Sequence, residues 1–305
     1  MWQPIRYGLR LSDRSSTSSS IALISAALLW GAAPVATRFL SHASDAQVLL
    51  AYRFSPSTVA VVLYYVLRRT RPVKGSLGWG KVAALSVVGG LGYNGLVTLA
   101  LVISPATIVG IALTTEPIWI LLLEAFRREK GFSWQLLSGF GLATAGTIVS
   151  TVGATGTGSK VIVGVVLAVL GTLCWAIYTV FGSRWTASAI DKTSFLVLFS
   201  LPFVVLFLLV GSGVDLPMPR GLPGWSSVVA ISLGSTVIAM AGWNYGAAKI
   251  GAKRAAPFLY LQPASTVGLS ALLLKERPSV LELVGLAAII VGLIISQSRT
   301  RDDSK

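Results

Sequence analysis

The chain has 305 residues, of which 54% are hydrophobic and only 12% are charged. An ordinary soluble domain carries about 25% charged residues. Apolar runs of about 20 residues, long enough to cross a bilayer as a helix, recur along the whole chain. These features exclude the soluble protein classes, so the net charge of +14 does not indicate a nucleic-acid-binding protein. We therefore predict an integral membrane protein.

The hydrophobic pattern predicts an all-α fold with ten transmembrane helices. The chain starts with a tail, residues 1–19, that we expect to be cytoplasmic and disordered. The apolar stretch after Ser20 is longer than the core of a signal peptide, so we expect the first helix to be retained. Residues 153–160 form a linker rich in Gly, Ser and Thr, and residues 298–305 form a second cytoplasmic tail. The predicted helices span residues 20–40, 46–67, 81–103, 106–126, 134–152, 161–183, 193–211, 224–247, 253–274 and 281–297.

The placement of Lys and Arg predicts the orientation of the chain. The two tails and the loops after the second, fourth, sixth and eighth predicted helices, with the helix ends next to them, contain 19 of the 25 basic residues. The loops on the opposite side contain four. Because cytoplasmic loops carry an excess of Lys and Arg, both termini are expected in the cytoplasm. The alternation depends on Ser104 and Pro105 separating the third helix from the fourth. We expect a multi-pass protein of the cell membrane, that is, the plasma or inner membrane.

The chain repeats its helix-breaking residues after 146 positions. A shared pattern of Pro and Gly indicates one backbone plan used twice. Each half, residues 20–152 and 161–297, contains five predicted helices. An odd number makes the second copy enter the membrane from the other side, which is typical of secondary transporters with a central site between inverted repeats. The coinciding pairs are Pro56 and Pro202, Pro117 and Pro263, Gly139 and Gly285, and Gly146 and Gly292.

Few residues suit catalysis or metal binding. With a single cysteine, Cys174, and a single histidine, His42, the chain can form neither an intramolecular disulfide nor a Cys-based or multi-His metal site. The chain contains neither the Gly-rich ATP-binding loop nor a GxSxG motif. The sequence therefore predicts no enzyme, no catalytic residues, no cofactor and no metal.

Polar and aromatic side chains form stripes along the predicted helices. Asn and Gln amides are unfavourable in lipid, so they are expected to face the interior of the bundle. One interpretation is a substrate cavity suited to small zwitterions. The other is hydrogen bonding between helices, with aromatic belts at the membrane surfaces. The candidate cavity residues are Trp30, Asn94, Glu116, Trp175, Tyr178, Asn244, Tyr260 and Gln262.

Two segments carry a resemblance to a known family. Residues 114–146 read TTEPIWILLLEAFRREKGFSWQLLSGFGLATAG, and residues 260–292 read YLQPASTVGLSALLLKERPSVLELVGLAAIIVG. Each has a proline in an apolar helix, then charged residues, then a glycine-spaced helix. Together with the Leu-Trp-Gly of the first helix, they resemble the EamA-type drug/metabolite transporter superfamily.

The resemblance implies ten helices in two inverted halves around a central cavity. It also implies transport of small metabolites, often export of amino acids or related compounds. The expected partners are a small-molecule substrate and the lipid bilayer, with protons as a candidate coupling ion and no nucleic acid. No feature of the sequence specifies an oligomer. The alternative is a membrane scaffold or receptor without transport activity.

Arg53 and Glu116 are charged residues well inside predicted helices, where charge is costly. One interpretation is a buried ion pair that fixes the second helix against the fourth, which the family resemblance favours. The other is that Glu116 takes up a proton during the transport cycle. Gln262 holds the equivalent place beside Pro263, so the repeated fold does not require a charge there.

Overall fold

The structure, a computed structural model, describes residues 9–127, 134–153, 158–210 and 217–297. These residues form ten helical segments, α1 to α10, and contain no strand. In chain order the segments are Leu9–Leu40, Ala46–Arg68, Trp79–Ile103, Ala106–Arg127, Trp134–Gly153, Ser159–Gly182, Ala189–Val210, Gly221–Ile250, residues 252–274 and Val280–Gln297.

Seven of the described segments are long and apolar enough to cross a membrane: α1 to α4 and α6 to α8. The apolar stretches of α5, α9 and α10 are shorter, at Leu137–Ser150, Leu261–Leu274 and Val280–Gly292. The chain is therefore an all-helical, multi-pass membrane protein. The count of ten transmembrane helices stays a prediction.

The N-terminal segment differs from the expectation. Helix α1 begins at Leu9, so residues 9–19, expected to be disordered, are helical. Adding a residue to an existing helix costs little once a nucleus has formed, so a long apolar helix extends into a polar flank. Residues 1–8, residues 298–305 and the linker residues 154–157 lie outside the described residues.

The boundary between α3 and α4 lies where the sequence predicted it. Ser104 has extended backbone angles, φ −136° and ψ 152°, and α4 begins directly after Pro105. A residue that precedes proline is pushed out of the helical region by the proline ring, which explains the break. The first half therefore contains five helical segments.

The two halves use the same packing plan. Helix α1 packs against α8 and α9, and its counterpart in the second half, α6, packs against α3 and α4. The second helices of the halves, α2 and α7, pack against each other, and so do the fifth helices, α5 and α10. Exchanging the halves preserves these contacts, which supports one backbone plan used twice.

Glycines seven residues apart on each helix form the contact between α5 and α10. A Cβ atom on Gly146 would lie 2.6 Å from the carbonyl oxygen of Gly285, and one on Gly292 would lie 2.6 Å from that of Gly139. Only glycine allows the two backbones to approach so closely.

The bundle has two distinguishable ends. At the first, which we call the basic end, the α2–α3 loop meets the α6–α7 loop: Thr186 Oγ1 accepts a hydrogen bond from Ser76 N, at 3.0 Å. At the opposite end Glu276, from the α9–α10 loop, accepts hydrogen bonds from Ala106 N (3.0 Å) and Thr107 N (2.8 Å). Glu276 thereby caps α4 of the first half from the second half.

Irregular helical turns recur at related places in the two halves. The third helix of each half contains a π-helical stretch, Val88–Gly92 in α3 and Ala230–Ala239 in α8. The fourth helices contain 3₁₀ turns, Leu113–Thr115 in α4 and Ala256–Tyr260 in α9. Turns of this kind shift backbone carbonyls out of the regular helical ladder and are frequent at functional sites. All four stretches lie in the helices that line the central site.

Candidate substrate site

A polar site lies in the middle of the bundle, between α1, α2, α3, α4, α6, α8 and α9. Two adjoining small cavities, of about 10 and 20 Å³, share five lining residues and form what we call the central site. Such volumes hold about one water molecule each, so the site is closed to a metabolite in this conformation. Its polar and aromatic lining residues are Trp30, Arg53, Tyr93, Asn94, Glu116, Trp175, Ser235, Thr236 and Gln262.

Arg53 is positioned by hydroxyl groups of two other helices. Its side chain is 5% exposed. Its guanidinium donates to Thr37 Oγ1 (3.3 Å) on α1, and to Ser235 Oγ (3.2 Å) and Thr236 Oγ1 (3.3 Å) on α8. It also donates to the carbonyl oxygen of Ile231, at 3.4 Å, in the π-helical stretch of α8. These neutral acceptors solvate the buried cation but leave its charge uncompensated.

Glu116 begins the α-helical part of α4, directly after the 3₁₀ turn, and is 1% exposed. Within the described residues its Oε1 atom has no hydrogen-bond partner, although the atom is buried. The hydroxyl of Tyr93 lies near its carboxyl group and near the Gln262 amide. The Nε1 atom of Trp175 is the second buried polar atom of this site for which the described chain supplies no partner.

Arg53 and Glu116 share a cavity but do not form the predicted ion pair. The described residues contain one salt bridge, between Arg127 and Glu124, and it lies elsewhere on α4. The expectation of a direct pair came from similar depths of α2 and α4 in the membrane. Depth does not specify the direction of a side chain, and the guanidinium points to the hydroxyl groups of α1 and α8 instead.

An aromatic cluster closes the central site toward the basic end. The ring of Trp175 lies 5.1 Å from Trp30, 5.3 Å from Tyr178, 5.5 Å from Tyr93 and 6.1 Å from Trp243. Trp30 is held in place by a 3.0 Å hydrogen bond from its Nε1 atom to the carbonyl oxygen of Ser235. Trp30 of the first half and Trp175 of the second half thus meet at the centre of the bundle.

The predicted cavity residues divide into two groups. Trp30, Asn94, Glu116, Trp175 and Gln262 line the central site. The amide of Asn94 donates to the carbonyl oxygen of Gly90 (2.8 Å), in the π-helical stretch of α3, and so fixes that turn.

Tyr178 and Asn244 line a second small cavity nearer the basic end, on the other side of the aromatic cluster. The Tyr178 hydroxyl donates to Asn244 Oδ1 at 3.0 Å, and Asn244 Nδ2 donates to Thr193 Oγ1 at 3.2 Å. The side chain of Tyr260 lies outside the described part of the chain.

Sequence reasoning missed the hydroxyl groups that hold Arg53. Thr37, Ser235 and Thr236 look like ordinary small residues in apolar helices, and hydroxyls often bond to their own helix. A usable signal was present: a buried Arg needs acceptors, and Ser235 and Thr236 lie beside each other in a segment that also contains Ser232. Their location opposite Arg53 depends on how the halves pack.

Comparisons with known proteins agree with this architecture. The model of the EamA-like transporter family matches residues 17–152 and again residues 162–297. The uncharacterized inner membrane transporter YedA of Escherichia coli K12 is 23% identical over 279 residues, which cover 90% of this chain and 89% of that protein.

The uncharacterized transporter YetK of Bacillus subtilis is 29% identical over 195 residues, and the match spans only 61% of this chain and 58% of YetK. One solved structure has the same fold, with a TM-score of 0.69 at 22% identity over 95% of this chain and 99% of that one. The family model covers both halves, so the chain belongs to the EamA-like transporter family and is a membrane transporter.

Proposed function

We propose that this protein is a secondary transporter of small zwitterionic metabolites, such as amino acids or related compounds, and that it exports them. The observation that carries the proposal is the placement of Arg53 and Glu116 on one cavity without a bond between them. Both charges are buried, and each lacks an oppositely charged partner in the described structure. A substrate with a carboxylate and an ammonium group supplies both partners.

The unpartnered atoms suggest how the substrate is bound. Oε1 of Glu116 accepts a hydrogen bond from the substrate ammonium, and Arg53 binds the carboxylate through charge-assisted hydrogen bonds. Trp30, Tyr93 and Trp175 offer ring faces to the rest of the molecule. A cavity as small as the present one must widen before a substrate enters, so binding is coupled to movement of the surrounding helices.

The repeated packing plan supports alternating access. In our proposal the chain crosses the membrane ten times, and the halves are inverted repeats that rock against each other around the central site. The aromatic cluster is the barrier toward the basic end. In the same proposal that end and both termini face the cytoplasm, which the excess of Lys and Arg supports. The relative YedA is named an inner membrane transporter, which favours the inner membrane for this chain too.

The proposal is tested by comparing metabolites inside and outside cells that produce or lack the protein. We expect one or a few zwitterionic metabolites to accumulate outside producing cells. Arg53→Gln should reduce this export at least about tenfold, the loss expected when a charge-assisted hydrogen bond is removed from a buried site.

Arg38→Gln is the matched control. Arg38 is a half-buried arginine in the last turn of α1. It donates to the carbonyl oxygens of Leu101 (2.8 Å) and Val102 (3.1 Å) and lines neither cavity of the central site. Its variant should keep export near the wild-type rate at equal abundance. Unchanged metabolites in producing cells contradict transport, and export of molecules that lack a carboxylate contradicts the role of Arg53.

A further inference from the structure

We propose that Lys192 forms a second, carboxylate-binding site at the basic end of the bundle, separated from the central site by the aromatic cluster. This inference rests on the proposed function, since it gives the transported carboxylate a second binding place on its path. The cavity has about 20 Å³ of space and is lined by Tyr178, Thr179, Ser183, Lys192 and Asn244 together with small or aromatic neighbours.

Lys192 is a buried cation without a charged partner. Its side chain is 5% exposed, and its Nζ atom donates to the carbonyl oxygen of Gly182 at 3.2 Å. Its other described contact is with the Trp185 ring, 5.9 Å from Nζ. An ammonium group has three donors, and no carboxylate of the described chain forms a salt bridge with this one.

The neighbouring acid is not available to Lys192. Asp191 accepts hydrogen bonds from the Tyr65 hydroxyl (2.5 Å) and from Ser188 Oγ (2.7 Å). Adjacent residues of a helix point in different directions, so Asp191 faces α2 while Lys192 faces the cavity. Burying an unpaired ammonium is costly, and an arriving anion removes that cost.

A second observation points to a ligand at the same place. Thr179 is 6% exposed, and its Oγ1 atom is buried without a hydrogen-bond partner among the described residues. Thr179 lines the same cavity as Lys192. Once this cavity widens, as the central site must, a carboxylate between them accepts from the ammonium and the hydroxyl at once.

The location suits a step of transport. Tyr178 and Trp243 line the Lys192 cavity, and their rings belong to the aromatic cluster that walls off the central site. When that cluster opens, the two cavities become continuous. A carboxylate then passes between Lys192 and Arg53, each time leaving one cation for the other.

The test measures binding of benzoate to the purified full-length protein in lipid nanodiscs, followed by tryptophan fluorescence at constant ionic strength. Benzylamine, with the same ring and the opposite charge, is the comparison ligand. We expect saturable binding of benzoate and not of benzylamine. Lys192→Gln should weaken benzoate binding at least about tenfold, whereas Lys192→Arg should retain it because the charge remains.

Lys74→Gln is the matched control. Lys74 Nζ also donates to one carbonyl oxygen, that of Leu77 at 3.1 Å, and lies 6.0 Å from one tryptophan ring, that of Trp79. It does not line the Lys192 cavity. If Lys192 only caps the end of α6, its variant should lose stability without a selective loss of benzoate. The inference is overturned if Lys192→Gln and Lys74→Gln lose benzoate binding equally, or if Lys192→Gln loses none.

Two further variants keep the test decisive. If Lys192→Gln does not fold, Thr179→Val should still weaken benzoate binding severalfold. A wild-type protein that binds benzoate and benzylamine equally well overturns the inference. Loss of binding in Arg53→Gln but not in Lys192→Gln also overturns it, while supporting the proposed carboxylate position in the central site. The assay measures binding and does not depend on flux. Its result can therefore be interpreted even if the protein does not transport the substrate.

Discussion

Arg53 and Glu116 place two opposite charges on one cavity and give each a different environment. Four acceptors on α1 and α8 surround the guanidinium, whereas one oxygen of the carboxyl group has no partner in the described chain. A carboxyl group so placed can exchange a proton without breaking an ion pair. Glu116 is therefore the residue at which we expect coupling of transport to protons.

Glu116→Gln should leave the protein folded, lower export because the substrate ammonium loses its charged acceptor, and make the remaining export insensitive to a pH gradient. The variant does not strand Arg53, because the arginine is already bound to the hydroxyl groups, so the thermal midpoint should change by no more than about 3 °C. The measurement is the substrate flux across membrane vesicles that contain the protein, with and without an imposed pH gradient. A wild type whose flux ignores the gradient would end the coupling hypothesis.

The control for this variant is Glu124→Gln on the same helix. Glu124 is 7% exposed but forms a salt bridge of 2.8 Å with Arg127, and it lines neither cavity of the central site. Its variant should keep the response to the pH gradient and lose a little stability. If both variants lose the response of export to the pH gradient, the effect belongs to helix α4 as a whole and not to Glu116.

At the scale of the helices, close backbone contacts and irregular turns complement each other. The glycine contact between α5 and α10 joins the halves and does not involve the lining residues of the central site. The π-helical stretches of α3 and α8 present carbonyl oxygens to Asn94, Trp30 and Arg53. Irregular turns are therefore found in the helices that line the central site, whereas close glycine packing joins α5 to α10.

Gly146→Ala should destabilise the protein by about 1–3 kcal/mol, the usual cost of overpacking. Its new methyl group would lie 2.6 Å from the Gly285 carbonyl oxygen and 2.9 Å from the side chain of Ile289. Thermal unfolding in detergent measures the change. Gly141→Ala is the control on the same helix, because a Cβ atom there meets no atom within 4 Å. It should be neutral or stabilise the protein by up to about 1 kcal/mol. Equal changes in stability in the two variants would refute the contact.

At the scale of the whole molecule, basic residues and repeat symmetry predict one orientation. Of the 25 Lys and Arg residues, 19 lie in or next to the tails and connections that the sequence predicts on one side. The structure brings two of those connections together, where Trp185 Nε1 donates to the carbonyl oxygen of Lys74 at 2.5 Å. At the opposite end Glu276 of the second half caps α4 of the first. Each end is thus built by both halves.

Reporter fusions test the orientation directly. Fusions after Lys74 and Lys305 should show cytoplasmic activity, and a fusion after Ser159 should be exposed outside, because an odd number of spans lies between the outer and inner sites. Alkaline phosphatase and a cytoplasmic fluorescent reporter give opposite signals at each position. A cytoplasmic Ser159 would contradict both the ten-span topology and the inversion of the repeats.

The sequence alone determined the helices, the membrane class, the family resemblance and the repeated Pro and Gly positions. These features depend on local hydrophobicity and on backbone constraints that act within a few residues. It also identified five of the residues that line the central site, because amides, aromatic rings and a carboxyl group inside apolar helices must face the protein.

Only the tertiary structure decided which side chains meet. Arg53 binds groups on Ser235 and Thr236, more than 180 positions away, and no local pattern specifies such a partner. The same packing separated Asn244 and Tyr178 from the central site by the rings of Trp175 and Trp243, and placed Lys192 behind them. Depth in the membrane follows from counting residues, but the direction of a side chain depends on how each helix rotates against its neighbours.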